Sequence, residues 1–179
     1  IECSVYQLLL GLKSFDDVVR RSETGGFDVL PANRELSGAE IELISIRERD
    51  QRLKKTLGPV MERYDYILID CPPSLSMLTL NALCFANGVI VPMQCEYFAL
   101  EGLTDLVASI RRVHNEKNPG LRIISILRVM FDPRITLQQQ VSEQLKKHFG
   151  DKVFNTIIPR NVRLAEAPSY GKPGVVYDR

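Results

Sequence analysis

The stretch Tyr66-Ile67-Leu68-Ile69-Asp70-Cys71-Pro72-Pro73-Ser74 decides how the rest of this chain is read. An apolar run delivers a carboxylate and then meets two prolines, whose fixed φ and missing N–H prevent a strand from continuing. Apolar strand, terminal Asp and sharp exit together have the form of a Walker B element. Mg²⁺ is strongly hydrated, so a carboxylate at a strand tip holds it through water while nucleotide phosphates supply the other ligands. An Asp capping the following helix has the same local pattern, so the surroundings must arbitrate.

Outward from this stretch lie four more runs rich in β-branched and aromatic residues: Phe27 to Leu30, Val89 to Val91, Ile123 to Val129 and Val153 to Ile158. Several are continuously apolar, as strands covered on both faces are. Helical patterns separate them. Ser37-Gly38-Ala39-Glu40 fits a capping box opening a helix through about Leu57. Leu100, Leu103, Leu106, Val107, Ile110 and Val113 form one apolar stripe, and Leu137, Val141 and Leu145 another. Strands alternating with helices predict an α/β fold, a mostly parallel sheet with helices on both faces. Such sheets bind ligands beyond the carboxyl ends of their strands. No repeat or flexible linker interrupts the pattern, so residues 1–179 are expected to form a single domain.

The composition fits that architecture and excludes several others. The chain has 179 residues, 45% hydrophobic and 25% charged, with 23 Lys plus Arg against 22 Asp plus Glu. Disordered, collagen-like and small secreted scaffolds are ruled out. A formal net charge of +1 means that any nucleic-acid binding must rest on a local patch. Cys3, Cys71, Cys84 and Cys95 include no C-x-x-C pair, and His114 and His148 lie at no zinc spacing from them, so reduced cytosolic thiols are the expectation. No apolar run approaches the ~20 residues of a membrane span.

A Walker B carboxylate needs a Gly-rich loop whose backbone N–H groups cradle phosphate. Residues 1–179 contain none: Gly171-Lys172 is followed by Pro173, and there is no G-x-G-x-x-G. By its residues alone the chain carries half of a nucleotide site.

Tyr64 to Leu75, Leu78 to Leu83, Pro92 to Leu103 and Ile158 to Pro173 together resemble the ParA/Soj family of chromosome- and plasmid-partitioning ATPases, essentially from end to end. That family opens with a deviant Walker A loop and a second strand, so the resemblance implies an N-terminal β-α-β unit of ~30 or more residues lying before Ile1. It also implies that residues 1–179 alone do not hydrolyse ATP and are poorly stable, with buried backbone groups left unpaired at about 1–3 kcal/mol each.

The implied cofactors are ATP and Mg²⁺. Asp70 takes the catalytic and Mg²⁺-binding role, with Cys71, Pro72, Pro73 and Ser74 forming its turn. Met130, Phe131 and Asp132 are implied on one side of the base, and Pro159, Arg160, Asn161 and Val162 on the other. Arg134 and Arg163 match arginines that bind DNA without sequence preference. A ParB-type partner, an ATP-dependent homodimer and a cytoplasmic, nucleoid-associated location complete the expectation, with no membrane attachment. Pro133 and Ile135 depart from the smaller or polar residues usual beside Arg134. The alternatives are a non-catalytic scaffold of the same fold and a MinD-like membrane switch.

Overall fold

The computed structural model describes residues 3–72 and 74–177, and the chain divides into two compact units, Ile1–Ala86 and Asn87–Arg179.

The first unit begins with two short helices, each opened by its own side chains. Ser4 and Gln7 form a capping box on α1 (Val5–Leu10), and Ser14 and Asp17 do the same on α2 (Phe15–Val18), satisfying N–H groups that a helix start leaves orphaned. The chain then folds into a hairpin, β1 (Arg20–Ser22) against β2 (Phe27–Val29), paired antiparallel with Arg20 opposite Val29. The run at Phe27 is therefore a strand, but its partner is the hairpin and not the parallel sheet.

The helix expected from Ser37 to Leu57 is divided. α3 (Leu36–Leu43) begins without a side-chain cap, and the Ser37 hydroxyl donates to the Arg34 carbonyl at 2.7 Å, so the capping box does not form. After a turn with Glu48 in the left-handed region (φ 54°), α4 (Arg52–Leu57) starts afresh. The reason for the restart lies on α5 (Met77–Phe85). Buried Asn81 accepts from the Leu53 N–H at 3.1 Å and donates to the carbonyls of Arg49 (2.8 Å) and Met77 (2.9 Å). A cap supplied from α5 is invisible to local sequence pattern. Leu8, Leu9, Val18, Leu53, Leu57, Val60 and Ala82 close the core of this unit.

The second unit is a parallel α/β sheet. Its elements run β3 (Gly88–Gln94), α6 (Ala99–Glu116), β4 (Arg122–Phe131), α7 (Thr136–Phe149), β5 (Val153–Pro159) and α8 (Val162–Glu166). The order is β3-β4-β5, both pairs parallel, with Val91 opposite Ile126. The expected α/β fold with a parallel sheet is what forms here. The α6 stripe buries Leu103, Val107, Ile110 and Val113. On α7, Val141 and Leu145 are buried while Leu137, in the first turn, is exposed. Both helices feed one core with Val91, Met93, Cys95, Ile126, Phe131 and Val153.

The run Tyr66 to Ile69 joins no ladder among the described residues. It is extended only in the sense that its side chains alternate: Tyr66 and Leu68 are 86% and 91% exposed, while Ile69 packs on the core of the first unit. A strand is defined by hydrogen bonds to a neighbour, and apolar residues alone do not supply one.

Candidate functional site

Asp70 stands at the end of that extended run, exposed, with no hydrogen bond or ion pair to any described residue. A free carboxylate of this kind can serve as one ligand to a hard cation whose remaining ligands are water and phosphate. It cannot hold a metal unaided, and the described residues contain no group of three or more His, Cys, Asp or Glu placed to do so. Partial burial, reinforced by the Asp70 carboxylate, pushes the Cys71 thiol above its ordinary pKa, so it is a poor nucleophile at neutral pH. Cys71 and Pro72 lie with Asp70 on the wall of a cavity of about 750 Å³ within the first unit, lined for the most part by apolar side chains such as Leu9, Leu57, Leu68 and Leu78, with Asp28 and Asn81 among them. Pro73 lies outside the described residues.

The second unit brings two separate sequence segments together. Phe131, the last residue of β4, pairs with Pro159, the last of β5, and the Arg160 N–H donates to the Phe131 carbonyl at 3.3 Å. Met130-Phe131-Asp132 and Pro159-Arg160-Asn161-Val162 are therefore adjacent at the carboxyl ends of neighbouring parallel strands, where such sheets present their ligand sites. Phe131 is buried core, whereas Met130, Arg160 and Val162 face outward. Met130 adopts a left-handed backbone (φ 53°), costly for any residue that carries a Cβ and found where surrounding structure imposes it. Asn161 accepts from the Arg163 N–H at 2.8 Å and so opens α8.

Asp132 is the best-tied residue of this cluster. Its N–H donates to buried Gln138 on α7 at 2.7 Å, and its carboxylate receives both Nε (2.9 Å) and Nη2 (2.7 Å) of Arg134. The Arg134 N–H adds a third bond at 3.0 Å. Those side-chain and backbone donors, with a lesser contribution from Arg160, pull the Asp132 carboxyl down to about 2. Arg134 itself is 87% exposed, the fork leaving most of its guanidinium open to solvent. Arg163 is also exposed, on the first turn of α8.

Sequence reasoning missed Gln138 and Arg128. Gln138 shows nothing locally beyond an amide near a helix start. Arg128 does carry a signal, a lone charge inside the apolar run of β4, which is informative because buried charges need dedicated partners.

Parallel strands with helical crossovers and polar loops gathered at their carboxyl ends define an open α/β class of protein, which presents its ligands at those strand ends. An AAA domain family profile matches residues 1–123. The chain is 55% identical over 179 residues to an uncharacterised protein of Pseudomonas putida, spanning 100% of this chain and 68% of that one. It is 48% identical over 178 residues to the sporulation initiation inhibitor protein Soj of Bacillus subtilis, covering 99% of this chain and 70% of the relative. A solved structure of cobyrinic acid a,c-diamide synthase from Mycobacterium smegmatis, with a bound ATP analogue and magnesium, superposes with a TM-score of 0.82 at 32% identity, over 94% of this chain and 74% of that one. The chain belongs to the ParA/Soj family of partitioning ATPases. The likeness to a nucleotide- and magnesium-bound structure supports nucleotide binding in general. No described helix is long and apolar enough to cross a membrane.

Proposed function

We propose that the intact protein is a DNA-segregation ATPase in which these residues supply the Mg²⁺ side and the base side of an ATP site. The observation that carries this reading is the pairing of Phe131 with Pro159, which puts the two segments implied for the base side by side at strand ends. Asp70 would hold Mg²⁺ through water, with Cys71, Pro72 and Pro73 shaping its turn. Met130, Phe131 and Asp132 would line one side of the base and Pro159, Arg160, Asn161 and Val162 the other. ATP bound to Mg²⁺ would supply the phosphoryl group for hydrolysis. The phosphate-cradling loop is absent from residues 1–179, so in this reading it comes from sequence preceding Ile1, whose apolar strand would occupy the cavity of the first unit.

ATP would favour a homodimer by binding one state better than the other. That dimer would bind DNA through Arg134 and Arg163, neutralising phosphates without reading bases, until a ParB-type partner stimulates hydrolysis in a cytoplasmic, nucleoid-associated cycle. The single-domain reading of residues 1–179 belongs to this proposal.

The experiment is charge reversal in the protein made from its complete coding sequence. Arg134→Glu is expected to weaken DNA binding and reduce the slope of log K against log[salt] by about 1 or more, while ATP binding is kept. Unchanged DNA affinity refutes the assignment of Arg134. The coding sequence itself tests the rest: a Lys-Gly-Gly-x-Gly-Lys-Thr loop upstream supports the ATPase, whereas a start codon near Ile1 supports a non-catalytic scaffold.

A further inference from the structure

Arg128 is an arginine in the middle of a core strand, 2% exposed, with no carboxylate in ion-pair distance among the described residues. Its guanidinium is instead spent on neutral acceptors. Nη1 donates to the Ser142 hydroxyl on α7 at 2.8 Å, and Nη2 donates to the carbonyls of Phe154 (2.8 Å) and Asn155 (3.3 Å) on β5. Nε has no partner.

Those two carbonyls sit where the ladder is irregular. Ile126 pairs with Val153, Arg128 with Ile157, and Phe131 with Pro159. Two steps along β4 thus face four along β5, and the next three along β4 face two. The first irregularity is a bulge at residues 154–156, and its first two carbonyls are the ones Arg128 takes. The second contains Met130 with its left-handed backbone. Bulges re-aim strands and are over-represented beside functional sites. Here the pair of them decides which residue of β5 arrives opposite Phe131.

We propose that Arg128 is a positioning residue for the strand-end site: its buried fork holds the β5 bulge and thereby places Pro159–Val162, and not a slipped neighbour, beside Met130–Asp132. The physical argument is one of registry. A buried cation without a counter-ion is tolerated only where carbonyls and hydroxyls converge on it, and a slip along β5 would withdraw the Phe154 and Asn155 carbonyls. Competing registers are therefore penalised by the charge itself, the best-attested use of buried ionic groups. Arginine suits this where lysine does not, because its planar fork reaches α7 and β5 together. The functional part of the inference rests on the reading of these strand ends as the base side of the ATP site; the register part does not.

The test uses Arg128→Met and Arg128→Lys in the protein made from its complete coding sequence, with amide hydrogen exchange resolved by NMR. Arg128→Met is expected to lower protection of the Arg160 N–H at least tenfold while the β3–β4 ladder keeps its protection, with Arg128→Lys between the two. ATP affinity should fall in step. Retained protection at Arg160 overturns the proposal, and so does equal loss across β3–β4, which would make Arg128 an ordinary core residue. Loss confined to Arg160 with unchanged ATP affinity leaves the register role standing and sinks the base-side reading. Should Arg128→Met fail to fold, the wild type decides: the Arg128 guanidinium protons and the Arg160 amide are expected to exchange through one opening with the same denaturant dependence, and separate openings overturn the proposal.

Discussion

Two apolar runs of similar grammar end in opposite states in this chain. Ile123 to Val129 lies inside β4, paired on both edges by β3 and β5, with Ile126 1% exposed. Tyr66 to Ile69 is as rich in β-formers, yet it pairs with nothing described and turns Tyr66 and Leu68 to solvent. The difference teaches that β-propensity measures how well a residue fits a pleated, half-buried surface, and the surface has to be provided by other segments. β4 finds it in β3 and β5, brought alongside by α6 and α7. The run before Asp70 borders the apolar cavity of its own unit instead.

Substitutions can break this comparison from either side. The largest effect is expected on the paired side: Leu145→Ala removes a fully buried side chain from the core under β3-β4-β5 and should cost about 2–5 kcal/mol. Hydrogen exchange of the β3–β4 amides measures it, and a cost below about 1 kcal/mol would mean that this core is not well packed. Asn81→Ala is next, at about 2–3 kcal/mol, because it orphans the Leu53 N–H and the Arg49 carbonyl in the first unit. Urea unfolding followed by exchange should show the first unit losing protection ahead of β3–β4. Simultaneous loss would show that the two units unfold as one.

Acid probes the strand ends with a smaller effect. Asp132 titrates near 2 in the folded chain against an ordinary value of 3.8, held down chiefly by the Arg134 side chain. A folded pKa below the unfolded one stabilises the folded chain in full above the unfolded value, and that contribution is lost as pH falls through the folded value. The Asp132–Arg134 fork should therefore be intact at pH 5 and dissolve only as the pH falls through about 2, as read by the carboxyl ¹³C shift of Asp132. A midpoint at an ordinary aspartate value would show that the fork does not persist in solution.

The smallest effect sharpens the comparison most. Leu68→Ser, at a side chain open to solvent, should change the stability of residues 1–179 by no more than about 0.5 kcal/mol. In the protein made from its complete coding sequence, a cost above about 1 kcal/mol would instead mean that this face is covered there.

Several features were legible without coordinates because they depend on short-range periodicity. The stripes of α6 and α7, the strands near Val89, Ile123 and Val153, and the parallel α/β class all follow from spacing and composition. The family was legible from its motifs, and with it the short roster of residues worth locating. What failed were features settled by partners that periodicity does not report, one far along the chain and one just before the strand. The helix through Leu57 breaks because Asn81, far along the chain, caps α4, and the strand at Phe27 takes a hairpin partner.

The sequence by itself determined that the α6 and α7 segments are helical, which runs are apolar enough to be strands, and that a carboxylate at Asp70 follows one of them. Only the tertiary structure decided that Phe131 meets Pro159, that Arg134 is forked on Asp132, and that the run before Asp70 goes without a partner. The physical reason is one of range. Periodicity and capping are fixed by neighbours within a turn or two, whereas register depends on bulges and on where a buried group such as Arg128 finds its acceptors.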